Sequence, residues 1–269
     1  MQRAPADDFL SGTSGHVVGI RRTTAALVRD TIADSLAVVQ RRALRNAARE
    51  SPRRRILALG IEREDVPNLM HATRAELARS RHEVQFVRAA AGERGKFENL
   101  NSLLAEHPAD GNDWLLVVDD DVALPGGFLD AFVFLAERFA LQLAQPAHRA
   151  RSHAAWYVTR RRSLSVVRET RLVEIGPVFA LHSSTFRALL PFPPLRSGWG
   201  LDLHWSALAR DHRWRMGVVD ATPVLHGMRR IASSYDRAAA IAEARAFLET
   251  RPYTNAVEAQ RTLATHRRW

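Results

Sequence analysis

The chain has 269 residues, 46% of them hydrophobic, which is enough for a buried core and too apolar for a disordered protein. It has no cysteine, which excludes a disulfide framework and any thiolate metal centre. Its net charge of +10 is carried almost wholly by arginine, Lys96 being the sole lysine, as a GC-rich bacterial genome would encode; the clusters 53–55 and 160–162 lack interleaved aromatics for base stacking, so the charge reads as solvated surface and speaks against nucleic acid.

No run approaches the ~18 apolar residues of a membrane span. The polar start carries Asp7 and Asp8 and lacks the apolar core of a secretory signal, so a cytoplasmic location is expected. Residues 1–19, with Gly12, Gly15 and Gly19 among serine and threonine, read as a flexible tail. A basic amphipathic helix is expected within 20–52, with its pattern clearest over 23–50. Val28, Ile32, Leu36 and Val39 share one face, and Arg41, Arg42, Arg45 and Arg49 crowd the other towards its end. Packing of that helix on the main domain is the plainer expectation. Peripheral contact with an anionic membrane, on its inner face, or self-association is the sharper one.

Ser51-Pro52 ends the helix, and 56–61 then reads as a short, fully buried strand. A helix over 68–80, a strand over 83–87, a helix over 96–106 and a buried strand over 114–118 follow, and the next helix spans 128–142. This alternation predicts an α/β, Rossmann-like, mainly parallel sheet with helices on both faces. Shorter strands are expected over 155–158, 164–167 and 177–181, and a short helix over 183–190. Pro191-Phe192-Pro193-Pro194 marks a stiff loop, followed by a helix over 203–210 and a last strand over 215–219. Ser233-x-x-Asp236 resembles a capping box that opens a helix ending near Thr250, within a helical extension over 231–269.

The strongest chemical signal is the run Trp114-Leu115-Leu116-Val117-Val118 feeding into Asp119-Asp120-Asp121. Ligands of such sheets bind beyond the carboxyl ends of the strands, where this triplet lies and where Glu62 follows the first strand. Carboxylates crowded there need a cation or a hydrogen-bond network, and hard oxygen donors suit Mg2+ or Mn2+ bridging to substrate phosphates. A P-loop would need Gly-x-x-x-x-Gly-Lys-Ser/Thr, but around Gly95-Lys96 the positions are held by Ala90 and Phe97. A haloacid-dehalogenase-type phosphatase needs a later lysine, and none follows Lys96.

Over roughly 54–230 the sequence resembles the GT-A glycosyltransferases, particularly those of family 2. The resemblance is carried by the opening strand, by Gly95-Lys96-Phe97-Glu98-Asn99-Leu100-Asn101, by the acidic triplet, by Gly198-Trp199-Gly200-Leu201-Asp202 and by the late His226. It implies a catalytic domain over 53–230. It also implies transfer of a sugar from a UDP- or GDP-linked nucleoside-diphosphate donor to a hydroxyl of a glycan, lipid-linked or small-molecule acceptor, with Mn2+ or Mg2+. By the same resemblance Asp121 holds the metal, and Asp119 approaches the nucleotide ribose or the metal, with Asp120 between them. Lys96, Asn101 and Glu62 lie near the nucleotide, His226 adds a nitrogen ligand that favours Mn2+, and Arg229 with Arg230 neutralises diphosphate oxygens.

Asp202 is the expected general base, giving inversion, or else the N-cap of the helix over 203–210; Trp199 and Gly200 beside it are expected to meet the acceptor. Family 2-like enzymes carry an acidic pair here, where this chain has Leu201-Asp202. Two other readings stand beside this one. A nucleotidyltransferase would want a glycine-rich loop after the first strand, which Gly60-Ile61-Glu62-Arg63-Glu64 does not provide. A non-catalytic nucleotide-binding or interaction module would use the basic helix as its working surface.

Overall fold

The computed structural model describes residues 7–13, 15–228 and 236–269. The long helix α1, Ile20–Glu50, ends where Pro52 forces Ser51 into extended backbone. After it come β1 (Arg55–Glu62), α2 (Met70–Leu77), β2 (Glu83–Ala90), α3 (Lys96–Glu106), β3 (Trp114–Asp119), the two-residue β4 (Val122–Ala123) and α4 (Phe128–Arg138). The second half contains β5 (Leu143–His148), β6 (Val167–Thr170), β7 (Val178–His182), α5 (Phe186–Leu189), α6 (Leu201–Asp211), β8 (Met216–His226), α7 (Arg237–Glu249), α8 (Ala256–Ala259) and β9 (Thr262–His266).

The strands form one mixed sheet in the order β2-β1-β3-β7-β5-β8-β6-β9, with β4 on the end of β8. Following the pairings, β2, β1, β3, β5, β8 and β9 run one way and β7 and β6 the other, so the sheet is mainly parallel in sense. Both faces are covered. Side chains of β1 and β3 alternate between a core under α3, α6 and α7, which holds Leu57, Leu115, Phe97 and Trp205, and a core under α4, which holds Ile56, Trp114 and Phe132. The continuous apolar run of β3 follows from burial on both faces.

Several sequence expectations are revised. The segment 155–158 is a loop running into a 3-10 turn at Tyr157–Thr159, and the strand expected from 164 begins at Val167. The helix expected to reach 142 stops at Arg138, and the chain reverses through Ala140 at φ 50° to enter β5. β5 is fully buried, yet its Leu-Ala-Gln-Pro-Ala-His sequence has little strand propensity; its neighbours β7 and β8 impose the conformation. The strand expected over 215–219 is the first half of β8, which runs on to His226. The C-terminal segment is not wholly helical, because β9 adds an edge strand to β6. Asp236 itself caps α7, accepting from the Ala238 N–H at 2.8 Å; Ser233 lies outside the described residues.

Residues 7–9 already touch the body of the fold. Phe9 is buried in the core, the Asp8 carbonyl accepts from the Ala256 N–H, and Asp7 forms a two-pronged pair with Arg245. The four apolar residues that share one face of α1 look outward. Ala26, Asp30, Ala33, Leu44 and Ala48 make the buried side.

Candidate active site

The sheet's carboxyl edge opens into a cleft of about 1140 Å3. Three elements deliver its chemistry. β3 ends at Asp119, whose N–H donates to the Pro177 carbonyl at 2.8 Å, and the chain turns through Asp120 and Asp121 into β4. β4 pairs with β8 so that Val122 lies opposite His226, which brings Asp121 beside that histidine. α6 begins at the cleft wall and carries Asp202 in its first turn.

The three aspartates have separate partners. Asp119 Oδ1 pairs with Lys96 Nζ at 2.6 Å, and the same ammonium donates to the Ile175 carbonyl at 2.8 Å. Gly176 follows that carbonyl, and a Cβ placed there would lie 2.9 Å from Asp119 Oδ2 and 3.1 Å from Lys96 Nζ, so any larger residue would press on this ion pair. Asp120 accepts from the Arg63 backbone N–H at 2.8 Å. Asp121 Oδ2 lies 3.3 Å from His226 Nε2. The other ring nitrogen, Nδ1, lies 3.0 Å from the His153 carbonyl, which orients the imidazole with Nε2 towards Asp121. Burial alone would lower the His226 pKa; the neighbouring Asp121, the His153 carbonyl and the charge of Asp119 outweigh it and hold the ring above the ordinary histidine value.

These donors fit a hard divalent cation. Asp121 and His226 already face one another, and the His153 carbonyl fixes the tautomer. Among the described residues no three carboxylate or imidazole groups form a set able to hold a metal alone. In particular, Asp119 is not gathered with Asp121 and His226 but is held by Lys96. Such a two-ligand set suits a metal that completes its shell with substrate phosphates and water.

Asp202 is buried across the cleft. The N-cap position of α6 belongs to Gly200, at φ 87°, a conformation only glycine adopts cheaply, so Asp202 is not the helix cap that the sequence allowed. One carboxylate oxygen accepts from the Leu203 N–H at 3.0 Å and the other from the Trp156 indole N–H at 3.0 Å. Desolvation, reinforced by the charge of Glu174, pushes its pKa up to about 7 despite those donors. Glu174 is itself buried, accepting from the Trp156 N–H at 3.0 Å and pairing with His148 Nε2 at 2.7 Å. Trp199 and Gly200 line the cleft beside Asp202, and Arg237 lies 5.7 Å over the Trp199 ring.

Two expected site residues are placed elsewhere. Glu62 does not line the cleft; its chain neighbours Ile61 and Arg63 do, while Glu62 pairs with Arg88 of the adjacent strand. The alternation of an extended chain accounts for this. Asn101 spends both ends of its amide on the Phe192 backbone, at 2.7 and 2.9 Å, pinning the proline-rich loop from the α3 side. Arg229 and Arg230 lie outside the described residues. The residues that sequence reasoning missed are Trp156, Glu174, Gly176, His153 and Arg63. They come from loops with no periodicity, and only Gly176-Pro177 had a local signal, that of a turn.

No family model and no curated protein sequence matches the chain. Similar solved structures are a mannosyltransferase of Pyrobaculum calidifontis in complex with GDP-Man and Mn2+, and a glucosyl-3-phosphoglycerate synthase of Mycobacterium tuberculosis with Mn2+, UDP and phosphoglyceric acid. The first is 12% identical, with a TM-score of 0.55 over 88% of this chain and 78% of that one. The second is 16% identical, with a TM-score of 0.48 over 77% and 81%. GalNAc-T7 with UDP, GalNAc and Mn2+ is 11% identical, with a TM-score of 0.46 over 68% of this chain and 45% of that one. The likeness to the mannosyltransferase is one of fold: the chain has the GT-A fold.

Proposed function

We propose that this chain is a metal-dependent glycosyltransferase. In this reading it moves a hexosyl group from a UDP- or GDP-linked donor to an acceptor hydroxyl with inversion at the transferred carbon. The observation that carries the reading is the convergence on one cleft of three features: a carboxylate–imidazole pair, Asp121 and His226, the ion pair Lys96–Asp119, and a separate buried carboxyl, Asp202, with its pKa near neutrality. The mannosyltransferase that shares the fold holds GDP-Man and Mn2+, which supports the same pairing of donor and metal here.

Asp121 and His226 would hold the metal, whose chemistry when bound is to neutralise the diphosphate leaving group. Lys96, fixed by Asp119 and the Ile175 carbonyl, presents a cation at the same edge and holds Asp119 in place. Asp202 receives the acceptor's hydroxyl proton as the oxygen attacks. A carboxyl titrating near 7 is a stronger base than an exposed one and is still substantially ionised at neutral pH. The Trp156 indole and Leu203 N–H groups fix its two oxygens, and Trp199 offers a flat apolar face for a sugar. The loop after β1, Arg63-Glu64-Asp65-Val66-Pro67, has no glycine to cradle phosphates as a nucleotidyltransferase would.

The test is thermal stabilisation by UDP and GDP with and without Mn2+, followed by donor hydrolysis with sugar conjugates of whichever nucleotide binds. Metal-dependent stabilisation and turnover, both lost in Asp121→Ala, are expected. Nucleotide binding without turnover would favour a binding module, and no metal-dependent binding of either nucleotide would overturn the reading.

A further inference from the structure

α1 turns its larger apolar residues outward, the reverse of a helix that merely packs on a domain. Its buried side is made of small and polar residues: Ala26, Asp30, Ala33 and Ala48 lie there, with Leu44 the one large apolar side chain. That side is clamped by polar contacts. Asp30 accepts from the Ala150 N–H at 2.8 Å, and Asp34 pairs with Arg149 and Arg161, each at 2.7 Å. The larger aliphatic residues face solvent: Val28, Ile32, Leu36 and Val39 are 51%, 55%, 55% and 82% exposed. Of the fourteen exposed large apolar side chains among the described residues, eight lie between Val18 and Val39. Such clustering marks an interaction surface, since scattered exposed aliphatics would not concentrate on one helix.

Charge identifies the occupant. The helix exposes six arginines, Arg21, Arg22, Arg29, Arg42, Arg45 and Arg49, against a single exposed acid, Glu50 at its end. Asp30 is buried and Asp34 is consumed by its arginines. Pairing this face with its own copy would set arginine against arginine with no acid to answer it. Nucleic acid would leave the aliphatic strip unsatisfied. A surface with anionic groups above an apolar layer meets both demands.

We propose that the outer face of α1 docks on an anionic lipid bilayer, with Val28, Ile32 and Val39 entering the headgroup boundary and Arg21, Arg22 and Arg29 meeting lipid phosphates. Residues just before the helix, Gly12, Thr13 and His16, line the cleft, so the docked helix would hold the cleft mouth near the membrane.

The experiment is co-sedimentation of the full chain with vesicles of phosphatidylcholine alone or mixed with phosphatidylglycerol. Partitioning should be about tenfold or more stronger on the anionic vesicles and should weaken with salt. The variant Val28→Ser/Ile32→Ser/Val39→Ser changes only exposed positions; it should lose about tenfold in partitioning with an unchanged melting temperature. Arg21→Gln/Arg22→Gln/Arg29→Gln should lose the preference for anionic lipid. Equal or absent binding to both vesicles, or full binding by the triple serine variant, overturns the proposal. So does a concentration-dependent dimer in sedimentation velocity that the serine variant abolishes. Donor hydrolysis in vesicle-free solution should be the same for all these variants, which separates this result from the test of sugar transfer.

Discussion

Trp156 and Asp202 are joined by a hydrogen bond of 3.0 Å from the indole N–H to the carboxylate, across 46 positions of sequence. The bond ties a loop that has no regular strand to the first turn of α6. Together with the Leu203 N–H on the other oxygen, it aims a buried carboxyl. Glu174, which takes the Trp156 backbone N–H, adds the charge that helps raise the pKa of Asp202.

That raised pKa has a consequence for stability. The folded protein keeps a proton on Asp202 up to about pH 7, whereas the unfolded chain releases it near 3.8. Stability from this group is therefore fully present below about pH 4 and is lost as pH rises through 7, by up to roughly 4 kcal/mol. Asp202→Asn should flatten this fall in urea denaturation of metal-free protein between pH 4 and 8. An unaltered slope would place the titration elsewhere. If Asp202 is the base, transfer should show an acid limb near pH 7, and Trp156→Phe should move that limb to higher pH by removing a donor to the charged form.

The facing of Asp121 and His226 predicts different losses for the two residues. Asp121→Ala should abolish Mn2+-dependent nucleotide stabilisation in a thermal-shift assay. His226→Ala should weaken Mn2+ about tenfold or more while affecting Mg2+ less, because imidazole contributes more to the softer ion. Mn2+ affinity can be read directly from the free-ion electron paramagnetic resonance signal, and retention of tight Mn2+ in both variants would remove the assignment.

Lys96 and Asn101 lie five residues apart on α3 and should behave oppositely. Lys96→Met leaves Asp119 without its ammonium partner and should weaken nucleotide binding about tenfold. Asn101→Ala strands both polar groups of the Phe192 backbone, so it should cost about 1–3 kcal/mol of stability and leave nucleotide affinity unchanged. Calorimetric titration alongside chemical denaturation distinguishes the two effects.

Away from the cleft, Arg168 and Asp220 form a wholly buried two-pronged pair at 2.7 and 2.9 Å, joining β6 to β8. Arg168→Met leaves an uncompensated carboxylate and should destabilise the fold by about 3–5 kcal/mol. The double change Arg168→Met/Asp220→Leu should recover much of that loss, since no lone charge remains. A double variant as unstable as the single one would show that the arginine's bonds to the Val158 and Arg160 carbonyls, with the Arg162 N–H bond to Asp220, dominate.

Legibility in the sequence followed burial. β1 and β3 were readable because both their faces are covered, and an uninterrupted apolar run that ends in three aspartates has few other interpretations. β5 was unreadable because Ala, Gln and Pro favour no strand, and its conformation comes from β7 and β8 on either side. The outward turn of Val28, Ile32, Leu36 and Val39 was equally hidden. Periodicity reveals that a face is apolar but does not reveal which side the domain covers.

By itself, then, the sequence determined the alternation that builds the sheet and the place where carboxylates emerge from it, because both depend on local pattern along single elements. Tertiary structure alone decided which groups meet: Lys96 with Asp119 rather than a ligand set of three, Gly200 rather than Asp202 as the cap, and Glu62 outside the cleft. The first rests on contact between segments far apart in the chain; the other two turn on a single position, where a shift of one residue turns a side chain to the other face.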